Sequence, residues 1–584
     1  MLLPRAKKEN YFDEKYILKA YDESIDLMYL YKKYKHGNED VTIITDSALG
    51  KEEYKLTINS AGITITASCD NGIFRAVSSL RQLLFDYKDA LPCCEIEDSP
   101  VFEKRSYMLD ISRCRMPKVS TITRLIDLLA DLKYNEFQLY MESFVYKCKA
   151  YPKYTEDFDC LTPEDIEYLV DYCEERFIDL VPNQNSLGHM GTWLDEEEFK
   201  PLALTDGSHR STTINPLLPE TFEFMDNLYD SLLPHFKSEY VNIGLDEAYE
   251  LDKFQLEEVC KEKGVENVFM DWLGKLSDHI GKKYGKKVQF WADMVYKYPE
   301  SYSRVPKDAV ALNWGYDRDI TAQMEKRCID LASMGTSFYI CPGNQTWITF
   351  TGKHDLCAFN LYTCGKLGEK YGAKGYMLTD WGCGEGHTHF PVWSLIPAVM
   401  AGQISWNGAN EDPRHYTRYA EKYLDDYVFN AKISSRIRML QQYYLLEPER
   451  VPSTTMCGYT IRYPLTETKA FCFDLKVSGE PIFFENVIWY VKRCLEDVVK
   501  TDFDENWKRQ IIINSKMVIL SAELCIIRMS QTCDSKKIDE LVELIDFIAE
   551  EYTILWDREN YSKGKEHFLE QLEGRRKELL EMKN

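Results

Sequence analysis

Eight short apolar runs, most of them followed by a helical pattern, dominate the chain between residues 105 and 410. Continuous apolar runs bounded by turn residues are typical of parallel strands that are buried on both faces. Eight such strands alternating with helices predict a (β/α)8 TIM barrel. An open, doubly wound sheet is the alternative, but no G-x-G-x-x-G follows the first run. The runs cover residues 107–111, 137–141, 179–184, 240–245, 288–291, 310–314, 338–341 and 376–380.

The first hundred residues have a different pattern. Residues 54–58 and 63–67 alternate apolar and polar positions on either side of a turn, which predicts a β-hairpin. Apolar residues at helical spacing predict helices over residues 13–35 and 73–85. We therefore expect a small α+β domain over residues 1–100, followed by the barrel over residues 101–425.

The remainder, residues 426–584, is predicted to be a C-terminal helical domain. Few Gly or Pro residues interrupt its last hundred positions, and its apolar residues recur at helical spacing. We expect these helices to pack on the barrel or to form the interface of a homodimer. One apolar stripe consists of Leu541, Leu544, Ile545, Ile548, Tyr552 and Leu555.

Composition and charge narrow the classes of function. The 584 residues carry 71 Lys plus Arg against 95 Asp plus Glu, a formal charge of −24, which argues against nucleic acid and anionic membranes as partners. The chain has 18 Cys without C-x-x-C or zinc-site spacing. The N-terminus lacks the apolar core of a signal peptide, and no 18-residue apolar run occurs. These features predict a cytoplasmic protein with reduced thiols.

Candidate chemistry lies where the predicted strands end, because barrel enzymes place their active sites at the carboxyl ends of the strands. Carboxylates, one Arg, one His and several aromatic residues follow the eight runs. Aromatic faces beside carboxylates and hydrogen-bond donors suit a sugar ring. The strand ends carry Asp110 with Arg113, Glu142, His189, Asp246 with Glu247, Asp293, Trp314, and Asp380 with Trp381.

The pair Asp246-Glu247 follows the fourth run. Two adjacent carboxylates repel each other, so we expect one of them to have a raised pKa, as a general acid needs. Neighbouring residues are poorly placed to flank a glycosidic bond from opposite faces. A substrate whose own 2-acetamido oxygen attacks the anomeric carbon does not need a second protein carboxylate on the opposite face. The pair could instead be structural, at a helix N-terminus where the macrodipole stabilises negative charge.

These residues resemble family 20 glycoside hydrolases, the β-N-acetylhexosaminidases. Tyr240-Val-Asn-Ile-Gly-Leu-Asp-Glu247 is similar to the His-Ile-Gly-Gly-Asp-Glu signature of that family. Met108-Leu-Asp-Ile-Ser-Arg113 resembles its first barrel strand, and Leu187-Gly-His-Met190 its third. Tyr376-Met-Leu-Thr-Asp-Trp-Gly382 looks like the eighth strand of its non-secreted branch with a helical C-terminal domain.

The resemblance implies roles at the matching positions. Glu247 would be the general acid and then the general base, and Asp246 would orient the acetamido nitrogen. Arg113 would hold the 3- and 4-hydroxyls of the sugar, and Asp380 its outer hydroxyls. The remaining substrate-binding positions would be Trp291, Trp314, Trp347 and Trp381 as walls, Tyr339 as a donor to the acetamido carbonyl, and His189 beside the carboxylates.

The chain also departs from the family pattern. Asn242 stands in place of the first His of the signature, Leu245 in place of its second Gly, and Cys114 in place of the His after Arg113. The His-Leu-His of the second strand is Gln138-Leu-Tyr140 here. These departures affect groups around the site rather than the acid or its partner.

The expected function is an exo-acting, retaining β-N-acetylhexosaminidase that uses substrate-assisted catalysis on a small glycan or glycoconjugate. No cofactor is expected. No metal is expected either, because the pair His387 and His389 has no evident third ligand. A sugar-binding protein that has lost catalysis and a conventional two-carboxylate β-glycosidase are the alternatives.

Overall fold

A computed structural model describes residues 2–156, 159–384, 386–467 and 480–583 of the chain. The first part is a five-stranded sheet in the order β1-β5-β3-β4-β2, in which only β2 and β4 pair in parallel. Its strands are β1 (Lys8–Ile17), β2 (Val41–Thr45), β3 (Tyr54–Asn59), β4 (Gly62–Ala67) and β5 (Ala90–Asp98). Its helices are α1 (Leu27–Tyr34) and α2 (Asp70–Tyr87).

The predicted hairpin and the second predicted helix are confirmed by β3, β4 and α2. The prediction of helix over residues 13–35 is wrong for its first part, where β1 extends to Ile17 and pairs with β5 at the sheet edge. Most side chains of β1 are exposed, so burial imposes no alternation on its sequence.

Residues after β5 form the closed barrel, with strand order β10-β11-β12-β13-β6-β7-β8-β9. This confirms the TIM barrel and excludes the open doubly wound sheet. The strands are β6 (Lys104–Asp110), β7 (Glu136–Met141), β8 (Asp179–Gln184), β9 (Tyr240–Asn242), β10 (Lys287–Trp291), β11 (Val310–Trp314), β12 (Phe338–Cys341) and β13 (Gly375–Asp380).

Helices connect the barrel strands and bury their apolar faces against them. Gly285 and Gly372 take the left-handed conformation directly after two of these helices and so end them. The helices are α3 (Val119–Asp131), α4 (Pro152–Thr155), α5 (Pro163–Glu174), α6 (Gly191–Leu194), α7 (Pro219–Leu232), α8 (Glu257–Lys263), α9 (Val265–Tyr284), α10 (Asp293–Tyr296), α11 (Thr321–Ser333), α12 (His354–Tyr371) and α13 (Leu395–Asn407).

The C-terminal region is helical, as predicted. One of its helices, α18 (Glu505–Ser530), is long and apolar enough to cross a membrane by composition, but 83% of its most apolar window is buried within the protein. Core helices of globular proteins have the same composition. Dimerisation through this region stays a prediction. The helices are α14 (Pro413–Tyr427), α15 (Ser434–Leu440), α16 (Met456–Thr460), α17 (Ile482–Lys500), α18 (Glu505–Ser530), α19 (Ser535–Glu559) and α20 (Glu566–Lys583).

A separate aromatic cluster fills the upper interior of the barrel. Trp291, Trp347 and Trp381 pack there with Tyr140 and Met377, and all five are buried. Because side chains alternate along a strand, the strand residues of this cluster point inward, and the residues at the strand ends lie above them.

Candidate active site

A pocket of about 460 Å³ opens at the carboxyl ends of the barrel strands. It brings together eight of the ten residues predicted for the site, together with several that sequence reasoning did not assign. The lining includes Arg113, His189, Asp246, Glu247, Trp291, Trp314, Tyr316, Trp347, Ile348, Trp381, Ser453 and Tyr459.

One imidazole contacts both carboxylates of the adjacent pair. The Nε2 atom of His189 lies 3.3 Å from Asp246 Oδ2 and 3.2 Å from Glu247 Oε2. The other oxygen of Asp246 accepts a hydrogen bond of 2.8 Å from the side-chain amide of Asn185. Tyr249 donates its hydroxyl proton to Glu247 Oε1 at 2.6 Å. The two carboxyl groups are thus fixed side by side, and Asp246 is the deeper, with 8% side-chain exposure against 32% for Glu247.

Two glycines allow the loop that carries His189 to meet the loop that carries the carboxylates. A Cβ atom on Gly188 would lie 2.3 Å from the backbone oxygen of Asp246. Gly244 has a φ of +70°, and a Cβ atom on it would lie 2.5 Å from Asn185 Cγ. Glycine is therefore required at both positions, which gives the Gly-His and Gly-x-Asp-Glu patterns a steric reason.

Electrostatics in the pair differ from the expectation that one carboxyl has a raised pKa. Burial alone would raise the pKa of Asp246 and of Glu247, but the contacts with His189 lower both. In turn, burial opposes charge on His189, and the two carboxylates overcome it and raise the pKa of His189 to about 10. A protonated His189 therefore lies between two ionised carboxylates.

The carboxyl group with a raised pKa is that of Asp293 instead. It is half-buried at the start of α10, where its Oδ2 accepts the backbone N–H of Glu247 at 3.1 Å and its Oδ1 accepts the indole N–H of Trp314 at 3.3 Å. Burial, and then the charge of Asp246, raise the pKa of Asp293 to about 7. Asp293 thus connects the general-acid candidate to a pocket wall, a role that its place two residues after Trp291 did not reveal.

Arg113 is held at the rim by a carboxylate and by aromatic rings. Its Nη2 atom lies 3.1 Å from Glu142 Oε2, and its guanidinium carbon lies 4.8 Å from the ring centre of Trp381. The same Nη2 lies 3.3 Å from His189 Nδ1. Glu142 lies 3.8 Å from that nitrogen, so the negative charge of Glu142 offsets the positive charges of Arg113 and His189. Arg113 is positioned to contact a ligand in the pocket.

Aromatic rings form one side of the pocket. Trp314 and Tyr316 stack with ring centres 5.3 Å apart, and Tyr316 meets Trp347 edge-on at 5.1 Å. The indole N–H of Trp381 donates to the hydroxyl oxygen of Tyr316 at 2.8 Å. These rings leave a flat-walled space beside Asp246.

Two of the predicted positions are not in this pocket. Tyr339 points into the lower barrel interior, where its hydroxyl donates to Glu136 Oε2 at 3.1 Å, because it lies two residues before the end of β12. The donor role predicted for it is therefore wrong, and Tyr316 occupies the wall instead.

The prediction that Asp380 holds sugar hydroxyls is also wrong. Asp380 points outward from β13, opposite to its neighbour Trp381, because successive side chains of a strand alternate. It accepts the hydroxyl proton of Tyr107 at 2.6 Å and lies 3.9 Å from Arg115 and 3.8 Å from His389. His389, with Arg115 and Tyr107, lowers the pKa of Asp380 to about 2 against the effect of burial. Asp380 is a buried structural anion.

Below the carboxylates, amide side chains replace the family's histidines. The oxygen of Gln138 accepts from the amides of Asn242 and Asn183, each at 3.1 Å. The amide nitrogen of Gln138 donates to Gln289 at 2.7 Å. These buried groups are connected by hydrogen bonds, so the departures at Gln138 and Asn242 belong to one altered network.

The C-terminal region contributes directly to the pocket. Ser453 and Tyr459, the latter on α16, line it beside Ile348. The hydroxyl of Thr454 donates to the backbone oxygen of Ile348 at 2.6 Å and ties this segment to the loop after β12. Nothing in the local sequence marked these residues, because their role arises from packing of distant segments.

His189, Asp246 and Glu247 are also the side chains that could hold a cation, because their ligand atoms lie within 4.8 Å of one another. Imidazole and carboxylate are ligands that Zn²⁺ accepts. A cation bound here would coordinate the carboxylates and so make them unavailable for proton transfer.

Comparison with known proteins identifies the family. The model of the glycosyl hydrolase family 20 catalytic domain matches residues 102–366, and the model of that family's domain 2 matches residues 12–99. The chain belongs to glycosyl hydrolase family 20. The predicted resemblance to that family is thereby confirmed.

Curated relatives in family 20 are distant. The chain is 24% identical over 364 residues to the β-hexosaminidase of Vibrio furnissii, an alignment that covers 55% of this chain and 57% of that protein. It is 28% identical over 211 residues to the α subunit of β-hexosaminidase of Mus musculus, covering 34% of this chain and 40% of that subunit. The chain thus spans little more than half the length of the first relative and less of the second.

Solved structures share the fold. A family 20 exo-β-N-acetylglucosaminidase of Vibrio harveyi, in complex with N-acetylglucosamine, matches 73% of this chain and 76% of its own chain at a TM-score of 0.58 and 20% identity. The chitobiase of Flavobacterium johnsoniae matches 98% of this chain and 99% of its own at a TM-score of 0.60 and 17% identity. The second match extends the likeness of fold through the helical C-terminal region.

Proposed function

We propose that this protein is an exo-acting β-N-acetylhexosaminidase that releases terminal β-linked N-acetylglucosamine, N-acetylgalactosamine or both with retention of configuration. The observation that carries the proposal is the contact of one imidazole, that of His189, with both Asp246 and Glu247. It fixes the two carboxyl groups side by side beneath the aromatic wall. Inverting glycosidases need carboxyl groups about 6.5–9.5 Å apart, with a water between them and the sugar.

In the proposed reaction the substrate supplies the nucleophile. The carbonyl oxygen of the 2-acetamido group attacks C1, while Glu247 donates a proton to the departing glycosidic oxygen. Asp246 accepts the acetamido N–H and stabilises the positive charge of the oxazolinium ion that forms. Glu247, now ionised, takes a proton from a water that attacks C1 on the opposite face and opens the ring.

Protonation of Glu247 requires a change in its surroundings, because the contacts with His189 and Tyr249 lower its pKa. A sugar that fills the pocket excludes water from Glu247, and desolvation of a carboxylate raises its pKa. Glu247 has the more exposed side chain of the pair, so it is the one whose environment a ligand changes most.

The remaining lining fits a hexosamine. Trp291, Trp314 and Tyr316 would enclose the flat acetamido group, and Tyr316 would donate its hydroxyl proton to the acetamido carbonyl. Arg113 would hold the 3- and 4-hydroxyls, and Trp381 would pack against the ring. These roles draw on the family resemblance together with the position of each side chain in the pocket.

Hydrolysis of aryl 2-acetamido-2-deoxy-β-glycosides, compared with the matching 2-hydroxy sugars, tests the proposal. We expect turnover of the acetamido sugars only, in the gluco or galacto series or in both. Equal cleavage of the 2-hydroxy sugars would favour a conventional two-carboxylate β-glycosidase. Binding of N-acetylglucosamine without turnover of any aryl sugar would favour a sugar-binding protein.

We further propose that the enzyme acts in the cytoplasm, on small glycans. The cysteines in the part of the chain that the structure describes are all free thiols, and most of them are buried. Unpaired thiols are typical of reducing compartments. Fractionation of the source cells tests this, and recovery of the protein outside the cytoplasm would contradict it.

A further inference from the structure

A cavity of about 390 Å³ lies on the outer side of the barrel, behind the strand that carries Asp380. Its inner wall consists of outward side chains of β6 and β13, which are Tyr107, Leu109 and Asp380. Helices α3, α13 and α14 form most of its outer wall, and Trp507 of α18 also lines it. No described residue lines both this cavity and the pocket at the strand ends. Its volume is within the range of cavities that bind small molecules.

A buried polar cluster lines one part of this cavity. Asp380, His389 and Arg115 are each more than nine-tenths buried there. Among the described residues, Asp380 Oδ1, Arg115 Nε and both ring nitrogens of His389 have no hydrogen-bond partner. Asp380 Oδ1 lies 3.8 Å from the imidazole and 3.9 Å from the guanidinium, which is beyond hydrogen-bond distance. Unpaired buried polar groups cost free energy, so these atoms indicate a ligand that pairs with them.

The other charged residues that line the cavity have partners within the protein. Arg81 donates to Asp131 at 2.9 Å, and Asp131 also accepts the hydroxyl proton of Tyr423. Arg124 forms an ion pair with Glu559. The polar group of a ligand therefore gains most at the cluster around Asp380.

Charges in the cluster favour a neutral polar group. Burial, with the charge of Arg115, lowers the pKa of His389 against the effect of Asp380, so His389 offers one N–H donor and one acceptor nitrogen. A carboxylate would face the ionised Asp380, and an ammonium group would face Arg115, in surroundings where like charges repel strongly. A hydroxyl group can instead donate to Asp380 Oδ1 and accept the imidazole N–H.

The rest of the lining is mostly apolar and suits an aromatic body. Leu125 and Leu128 of α3 face this space together with Leu395, Phe390 and Trp507. Apolar and aromatic side chains with a few polar groups are the usual lining of small-molecule sites. Leu125, Leu128 and Trp507 are half-buried, so the cavity is accessible from solvent between α3 and α18.

We propose that this cavity binds a small neutral molecule with an aromatic body and a hydroxyl group, and that the hydroxyl pairs with Asp380 and His389. The site is separate from the pocket that contains Glu247. The inference does not depend on the proposed function, and its test does not use enzymatic activity.

Equilibrium dialysis of the full-length protein with 2-naphthol, naphthalene and 2-naphthoate tests the proposal. The three probes share two fused rings and differ in the group that they would place at Asp380. We expect 2-naphthol to bind one site per chain and the other two to bind about tenfold more weakly or less, because an analogue without the hydroxyl leaves buried polar groups unpaired. Equal binding of 2-naphthol and naphthalene, or no saturable binding of 2-naphthol, would overturn the proposal.

A variant that fills the cavity locates the probe. Leu125→Trp should weaken the binding of 2-naphthol about tenfold or more, since the larger side chain occupies the space of the rings. Leu495→Trp, at a half-buried position on α17 outside the cavity, is the matched control and should bind as wild type does. Val428→Trp, at the end of α14, fills the cavity from another wall and gives the same test should Leu125→Trp not fold. Unchanged binding in a folded cavity variant would place the probe elsewhere and overturn the proposal.

Discussion

The indole N–H of Trp381 donates a hydrogen bond of 2.8 Å to the hydroxyl oxygen of Tyr316. Thr379 also donates to this oxygen, at 3.4 Å. Tyr316 therefore accepts from the barrel and keeps its own proton for a group in the pocket. Burial raises the pKa of Tyr316, so the phenol remains protonated.

The first prediction concerns this proton. Tyr316→Phe should lower kcat/KM for an aryl N-acetylglucosaminide by about 10²-fold, because a donor to the attacking acetamido oxygen is lost. Tyr339→Phe is the matched control. It removes a buried hydrogen bond to Glu136, so it should cost about 1 kcal/mol of unfolding free energy and leave kcat/KM unchanged. A larger loss of activity in Tyr339→Phe than in Tyr316→Phe would reverse the assignment.

Glu247→Gln tests the general acid. We expect kcat/KM to fall by about 10²–10⁴-fold on an aryl glycoside with a poor leaving group. The loss should be much smaller with a nitrophenyl leaving group, since a stable phenolate departs without protonation. Steady-state kinetics on the two glycosides measure this. An equal loss on both would mean that Glu247 does not protonate the leaving group.

Asp293 predicts a pH dependence of stability. Its pKa is raised to about 7 from the ordinary value of 3.8, so it contributes stability that is fully present below pH 3.8 and is lost as the pH rises through 7. Urea unfolding over this pH range should show that the free energy of unfolding of wild type declines as the pH rises, and that this decline is absent in Asp293→Asn. The exposed Asp278 on α9 supplies the control, Asp278→Asn. Parallel curves for wild type and Asp293→Asn would contradict the assigned pKa.

Asp380→Asn should affect stability rather than substrate binding. Removing the charge leaves Arg115 without its anion, and a broken buried ion pair costs about 3–5 kcal/mol. Because the pKa of Asp380 is lowered to about 2, its contribution is present above the ordinary value of 3.8 and is lost as the pH falls through 2. KM should stay as in wild type. The half-exposed Asp412, which pairs with Arg414 and caps α14, gives the control Asp412→Asn, which should change stability little because asparagine is an equally good N-cap. A raised KM without destabilisation would return Asp380 to the sugar site.

The barrel could be predicted from sequence because its strands are buried on both faces and appear as continuous apolar runs. Three of them, β8, β11 and β12, coincide with the predicted runs at both ends. The edge strand β1 could not be predicted, since its exposed side chains carry no periodic pattern. Asp246, Glu247 and Arg113 were predicted as site residues from local motifs, since each lies at a strand end.

Side-chain direction accounts for most of what the sequence did not predict about the site. Asp380 and Tyr339 lie on the right strands, but alternation and depth along the strand place their side chains elsewhere. Tyr316 lies two residues beyond β11, where no periodicity applies. Tyr459 reaches the pocket from a helix more than 200 residues after Glu247, and only tertiary packing brings the two together.

The central claim is that the acetamido oxygen of the substrate is the nucleophile. Aryl 2-acyl-amido-2-deoxy-β-glucosides with zero, one, two and three fluorines on the acetyl methyl group test it most directly. Each fluorine weakens the carbonyl oxygen as a nucleophile with little change in size. The account predicts that kcat/KM falls steeply and steadily along the series in wild type. A flat series would mean that a protein carboxylate or water attacks the anomeric carbon, and it would contradict the roles assigned to Asp246 and Glu247.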